Sequence, residues 1–483
     1  MSYDLIVRGG TVVTPSATEP LDVAVSGEQI AAIEPPGSLG RDAGRVIDAT
    51  SCLVIPGGVD PHCHWNLGWQ ETKSEGQEHS WAAAWGGTTT LIDFAFQEGE
   101  VSLHDAVAAK REEADGSMAV DYGLHALLSG NTSFEVMEEI GDVIRGGIPT
   151  IKTLTTYAWM SDDGHRYGVM TEVAEHGGLS IVHAEDDALA NWLTKKYIRE
   201  GKTHGGYISE TRGSLVEELA IRRALLLAER TGSPLYIFHM AAGAGVHALA
   251  EARAKGLPMY GETLIVYLSY TAEKLFDDAN RGLLVSNFPT IKFQEDQDTL
   301  WAAVADNRLQ VVSSDHYGLD AETRYKHMGT RVDTPQGGQN AVEMRVPVLF
   351  HRGVQEGRIS LERFVELIST NPAKIMGLYP RKGALLPGSD ADIAVIDPNR
   401  RWTVRAEEHH MGGDYNAWEG WELGGKVVTT ILRGTPLVEN DRWVGSKTGG
   451  RYLPRTLMPE VVGASPDLSA TFESALQTAT AVR

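Results

Sequence analysis

Cysteine is nearly absent from this chain: only Cys52 and Cys63 occur in 483 residues. Two thiols cannot build a disulfide framework, and such usage suits a reducing compartment. Basic residues are also scarce. Lys and Arg number 43 against 65 Asp and Glu, a net charge of −22. A surface that acidic repels phosphate backbones and anionic lipid heads, which argues against nucleic acid or a membrane surface as the main partner. No apolar run approaches the ~18 residues of a membrane span. The opening stretch, Met1 to Gly10, lacks a basic segment followed by a long apolar one, so no export signal is expected and the predicted location is cytoplasmic. There is no internal repeat and no low-complexity tract. A Gly-x-Gly-x-x-Gly loop after the first strand is missing too, which disfavours a dinucleotide-binding sheet.

What remains is ample material for a core. Hydrophobic residues make up 42% and charged ones 22%, far from a disordered composition. The length suits one large catalytic domain with a smaller companion. Eight short β-branched runs alternate with helical stretches: Cys52–Val59, Thr89–Phe94, Val120–Leu127, Ile148–Leu154, Leu179–His183, Leu235–His239, Pro258–Leu264 and Leu309–Ser313. Alternation of this kind predicts parallel strands with crossover helices, an α/β fold of the TIM-type (β/α)8 barrel. Both chain ends read differently, as short alternating strands with turns. Each end holds too few strands for a sheet of its own. The expected organisation is therefore a composite β-domain from residues 1–55 plus 381–440, a barrel over 56–380, and a tail over 441–483 that is a candidate for a subunit interface.

The polar residues that close the apolar runs carry the chemistry. After the first run the chain reads Gly57-Gly58-Val59-Asp60-Pro61-His62-Cys63-His64. Alternate side chains of a strand share a face, so His62 and His64 point the same way. Alone, two such histidines among 16 are weak evidence. The fourth run, however, brings Lys152, the fifth His183, the sixth His239 and the eighth Asp315 to the same rim, where barrel enzymes keep their chemistry. Four histidines and an aspartate converging there form a metal-ligand set. An ammonium beside cations is repelled and costly to bury. Two readings of Lys152 stay open from the residues: an ion pair, for instance with Asp315, or carbamylation by CO2 into an anionic bridge.

These residues, in this order, resemble the binuclear amidohydrolase superfamily, and more closely its dihydropyrimidinase/hydantoinase family. The likeness rests on Gly57 to His64, on Lys152 followed by Tyr157, and on Val182-His183-Ala184-Glu185. It also rests on Ser313-Ser314-Asp315-His316, on Asn371 to Gly383 and on Gly388 to Ile393. The resemblance implies two divalent ions per chain, zinc by preference with manganese, cobalt or iron also admitted. His62, His64 and Asp315 would hold the more buried ion, His183 and His239 the second, and carbamylated Lys152 would bridge them. It implies a bridging hydroxide as nucleophile, Asp315 as proton carrier and Tyr157 as donor to the oxyanion. It also implies a homo-oligomer, a tetramer or dimer.

For the substrate, a small cyclic amide, the family uses two loops. Ser286 matches the serine of the first, but Asn287 stands where proline is usual. Gln336 in Thr334-Pro335-Gln336-Gly337-Gly338 replaces the usual asparagine of the second. Trp65, Trp69, Phe94, Phe96 and Trp159 give the expected mouth an aromatic cast, suited to a neutral ring. A dihydroorotase would need an arginine just after His64, where Trp65-Asn66-Leu67-Gly68 stands. An allantoinase usually lacks the tyrosine found here at 157. A non-catalytic relative would have lost ligands, and none is missing. The expected activity is opening of a hydantoin, dihydropyrimidine or cyclic imide.

Overall fold

The computed structural model describes residues 3–40, 43–65, 76–130, 132–278, 281–328, 330–334 and 337–463. Short strands open the chain: β1 (Tyr3–Arg8), β2 (Thr11–Val13), β3 (Thr18–Pro20), β4 (Asp22–Ser26), β5 (Gln29–Glu34), β6 (Ala43–Asp48) and β7 (Leu53–Pro56). The barrel region follows with β8 (Gly58–Asp60), β9 (Cys63–His64), β10 (Thr88–Gln97), β11 (Asp121–Leu128), β12 (Thr150–Leu154), β13 (Leu179–His183), β14 (Leu235–Ile237), β15 (Met259–Leu264), β16 (Val311–Ser313) and β17 (His316–Tyr317). The chain then returns to antiparallel strands: β18 (Ile393–Thr403), β19 (Glu422–Leu432) and β20 (Thr435–Glu439).

Strands β8 and β10 to β16 form one eight-stranded sheet, ordered sequentially with every pair parallel. This is the expected TIM-type barrel. The ring closes between its first and last strands by other means. At the rim, β17 pairs with β9, and Asp315 N–H donates to His62 O at 2.9 Å. Below the rim the buried guanidinium of Arg345 donates to Val59 O at 3.2 Å and Val312 O at 3.1 Å. One planar cation thus replaces the ladder bonds missing between β8 and β16.

Alternation along the strands sorts the two faces. Ile92, Phe94, Ile181, Tyr236 and Phe238 pack inside the barrel, while Leu91, Val182 and Ile237 face the surrounding helices. His183 shares the inner face of Ile181, and Lys152 alternates with the outward Ile151, so the polar rim is a continuation of the lumen. The opposite end of the lumen is filled by Leu453, Leu457 and Val461, with Arg455 buried beside them. Residues 450–463 therefore lie against their own barrel. The rest of the tail, where a subunit contact was expected, falls from 464 onward, outside the described residues.

The composite β-domain draws on both ends of the chain. A six-stranded sheet runs β20-β19-β18-β7-β2-β3, and a four-stranded sheet runs β5-β4-β1-β6. The run Cys52–Val59 is in fact two strands: β7 belongs to the composite sheet and β8 to the barrel. Gly57 sits at the break, where a Cβ would come within 2.3 Å of the Thr89 hydroxyl. No helix among the described residues is long and apolar enough to cross a membrane.

Candidate active site

The expected ligand residues meet at one end of the barrel. His62 and His64 stand on and before β9, Lys152 within β12, His183 at the end of β13, His239 just beyond β14 and Asp315 between β16 and β17. Asp315 Oδ1 lies 3.1 Å from His62 Nε2 and 3.3 Å from His64 Nε2. One donor atom from each of these three residues falls within 4.8 Å of the others, a group able to hold a metal ion. The His183 and His239 rings sit 4.4 Å apart, and His239 is 5.1 Å from His62. The two halves of the expected ligand set are thus contiguous.

Backbone geometry pays for this convergence. His239, Asp315 and Tyr157 all occupy the left-handed region, with φ of 37°, 48° and 73°. Such residues turn their side chains off the strand path and cost of order 1–3 kcal/mol each, so the surroundings must hold them. His239 N–H donates to Glu262 Oε1 at 3.2 Å, and Asp315 is held by His62 O as described. The loop carrying Tyr157 is pinned by Gly130, whose N–H donates to Trp159 O at 2.9 Å. A Cβ on Gly130 would fall 1.8 Å from Met160 O, so that approach requires glycine.

The protonation states favour cation binding. His62 Nδ1 sits 2.6 Å from Glu262 Oε1, whose other oxygen accepts from the Tyr236 hydroxyl at 2.9 Å. With Nδ1 carrying the proton, the Nε2 lone pair of His62 faces the Asp315 carboxylate, two acceptors 3.1 Å apart. His62 Nε2 and His239 Nδ1 are buried without hydrogen-bond partners. Each bare nitrogen is a lone pair that a cation would satisfy, so these residues fit divalent metal. Burial pushes His62 and His239 well below the usual imidazole range and keeps them neutral, as ligands must be.

Lys152 forms no ion pair or hydrogen bond among the described residues, so the pairing with Asp315 considered above is not made. Its Nζ lies over Phe94 at 4.0 Å and over Phe238 at 4.7 Å. Burial lowers its pKa to about 8, despite Asp315, Glu262 and Asp93 nearby. Tyr157 packs with His183 at 5.2 Å and Phe288 at 5.8 Å between ring centroids. Burial raises its hydroxyl well above 10, so it stays protonated and can donate.

Of the two expected substrate loops, Ser286 is buried, and its carbonyl accepts from Arg324 and from Gln339 Nε2 at 2.7 Å. Gln336 lies outside the described residues, as do Pro335, Trp69 and Asn66 to Gly68. Two of the expected mouth aromatics are not at the mouth. Trp65 is fully buried in the core, and Phe94 is buried beneath the ligands, its ring stacked on His64 at 4.7 Å. Phe96 and Trp159 do meet, edge to face at 5.6 Å.

Several supporting residues were not anticipated. Phe238 stacks on His62 at 4.0 Å. Asp93 lies 3.8 Å from His64 Nδ1 and 2.9 Å from the Lys110 ammonium. Glu185 is 2.9 Å from His183 Nε2 and 3.2 Å from the Arg212 guanidinium. Glu262 and Asp93 did leave a signal: each is an acid inside an otherwise apolar strand, where a charge is costly unless partnered.

A parallel eight-stranded ring with imidazoles, a lysine and an aspartate at its strand ends is the architecture of the amidohydrolases. Residues 53–437 match the Amidohydrolase family, and the chain belongs to that family, in its hydantoinase/dihydropyrimidinase branch. It is 37% identical to a D-hydantoinase of Streptomyces coelicolor, over 94% of this chain and 98% of that one. A D-hydantoinase of Geobacillus stearothermophilus is 36% identical, over 93% and 96%. The crystal structure of a dihydropyrimidinase from Brevibacillus agri superposes with a TM-score of 0.90 at 36% identity, covering 94% of this chain and 99% of that one.

Proposed function

We propose that this enzyme opens a small cyclic amide, a hydantoin, dihydropyrimidine or cyclic imide, by hydrolysis of a ring C–N bond. The observation that carries this reading is the convergence of His62, His64 and Asp315, with the bare Nε2 of His62 turned toward the buried Asp315 carboxylate. The relatives' names point to the ring. His62, His64 and Asp315 would hold one divalent ion and His183 and His239 a second, with carbamylated Lys152 as their shared ligand; zinc would suit these residues, and manganese, cobalt or iron would also fit. When bound, such ions acidify water to a nucleophile at neutral pH and polarise a carbonyl.

The chain's own residues do the rest. Asp315 takes a proton from the attacking water at its carboxylate and returns it to the leaving ring nitrogen. Tyr157 donates its hydroxyl proton in a hydrogen bond to the oxygen that gains charge in the tetrahedral state. Ser286 and Gln336 hold the amide edge of the ring, and Phe96 and Trp159 face its substituent. The barrel over 56–380 bears this chemistry, with 1–55 and 381–440 buttressing it. A dimer or tetramer is supported by apolar side chains on the outer faces of two helices, Trp192 at 60% exposure and Leu215 at 57%.

One assay tests the reading: the zinc-loaded protein against hydantoin, 5-phenylhydantoin, dihydrouracil, allantoin, succinimide and phthalimide. Ring opening of a hydantoin, dihydropyrimidine or imide supports it. Turnover of allantoin alone overturns it in favour of an allantoinase, and no turnover at all overturns it outright.

A further inference from the structure

Asn287 stands outside the ligand set and fully buried beside it. Its Nδ2 donates to Asp315 Oδ2 at 3.0 Å. Its Oδ1 accepts from Gly338 N–H at 2.5 Å. The orientation of this amide is fixed by chemistry. A carboxylate can only accept and a backbone N–H can only donate, so a flipped amide would oppose two acceptors and two donors. Position 338 in turn requires glycine. Its φ is 80°, and a Cβ there would lie 2.6 Å from Tyr317 Cβ.

The neighbouring bonds show what this amide adds. Arg324 donates to both Ser286 O and Gly338 O, and Gln339 Nε2 donates to Ser286 O. Those bonds tie the 286–288 loop to the 337–339 loop. Asn287 alone of these groups also reaches Asp315. Asp315 Oδ1 is turned to His62 and His64 while Asn287 holds Oδ2, so the carboxylate cannot rotate about its own Cβ–Cγ bond without losing a partner on each side. The proline usual at this position offers no such amide.

We propose that Asn287 is a positioning residue that sets the Asp315 carboxylate and the Gly338 backbone in one fixed relation. The loops that seat the ring and the oxygen that carries the proton are thereby aligned together. This rests on the proposed hydrolytic reading, with Asp315 as both ligand and proton carrier.

Two variants separate the two hydrogen bonds. Asn287→Asp keeps the acceptor for Gly338 and loses the donor to Asp315. Asn287→Ala loses both. Zinc affinity is measured by competition with a chromophoric chelator, beside kcat and KM on the best substrate of the wild type. In Asn287→Asp, zinc affinity and kcat each fall about 10- to 100-fold, the usual effect of removing a ligand's hydrogen-bond partner, while KM stays near wild type. In Asn287→Ala the same losses come with a raised KM, because the loop link is gone. Wild-type zinc affinity and kcat in Asn287→Asp overturn the proposal, as does a lowered melting temperature in both variants with zinc affinity, kcat and KM unchanged. Asn287→Asp is isosteric and decides the matter if Asn287→Ala fails to fold. A wild type inactive on every ring sinks the hydrolytic reading instead, and the zinc affinities still decide whether Asn287 places Asp315.

Discussion

Lys152 is the residue whose chemistry is hardest to explain without modification. A buried ammonium sits over two aromatic faces with no carboxylate partner among the described residues, and burial has already drawn its pKa to about 8. Carbamylation, as proposed, would turn that liability into a bridging anion. Lys152→Arg is therefore expected to be inactive and to hold at most one metal, because a guanidinium stays cationic. Lys152→Ala should lose the second metal, with partial recovery of turnover on adding short carboxylic acids. A fully active Lys152→Arg enzyme contradicts the bridge. Tyr157 differs in kind, since it touches no ligand role. Tyr157→Phe should lower kcat about 10²- to 10³-fold, the range for one oxyanion donor, with metal content unchanged. Loss of metal in that variant would show that Tyr157 acts on the ligands instead. Every ligand candidate was legible in the sequence because each closes an apolar run. Phe238 and Arg345 were not read, since their partners lie far away in the chain and no local spacing announces them, while Glu262 left only the trace of an acid in an apolar strand. Trp65 was misplaced because an aromatic after a ligand motif reads equally well as rim or as core.

At the scale of elements, the barrel's weak point is the seam between β8 and β16. Strand periodicity predicts the eight runs but says nothing of how the last meets the first. The structure fills that seam with Arg345, bonded to Val59 O, Val312 O, Ile368 O and the Thr88 hydroxyl, with Asp60 at 3.5 Å. Arg345→Met strands the buried Asp60 and those carbonyls, a loss of about 3–5 kcal/mol on the scale of broken buried pairs. Urea unfolding of the metal-free protein should show it. A midpoint near that of wild type would mean that the rim strands β9 and β17 close the barrel unaided. The single run 52–59 hid two strands because both are apolar and the break at Gly57 is short. Strands β3 and β20 went unread: β3 is exposed along its whole length, and β20 opens with proline in second place. The two sheets of the composite domain could not be told from one, since strand pairing across some 340 residues leaves no periodic trace.

At the scale of the whole molecule, buried neutral histidines link stability to pH. Burial lowers His79 and His125 well below the usual imidazole range and pushes His316 down to about 3. In the unfolded chain each titrates near ~6.5. Between the folded value and that pH the unfolded chain binds more protons, so stability is complete above about 6.5 and lost as pH falls below it. Each such histidine contributes a slope of up to about 1.4 kcal/mol per pH unit. Urea midpoints of the metal-free protein at about pH 7.5, 6.5 and 5.5 should fall slightly over the first step and more steeply over the second. Equal midpoints throughout would mean that these rings are solvated or paired in solution.

The central claim is that this barrel rim works as a two-metal site. Metal content by mass spectrometry, measured on the same preparation as ring opening, tests it through chelation and stepwise return of zinc. About two ions per chain are expected at full activity, with activity lost as they leave and regained as they return. Full activity in a preparation that holds no metal would contradict it.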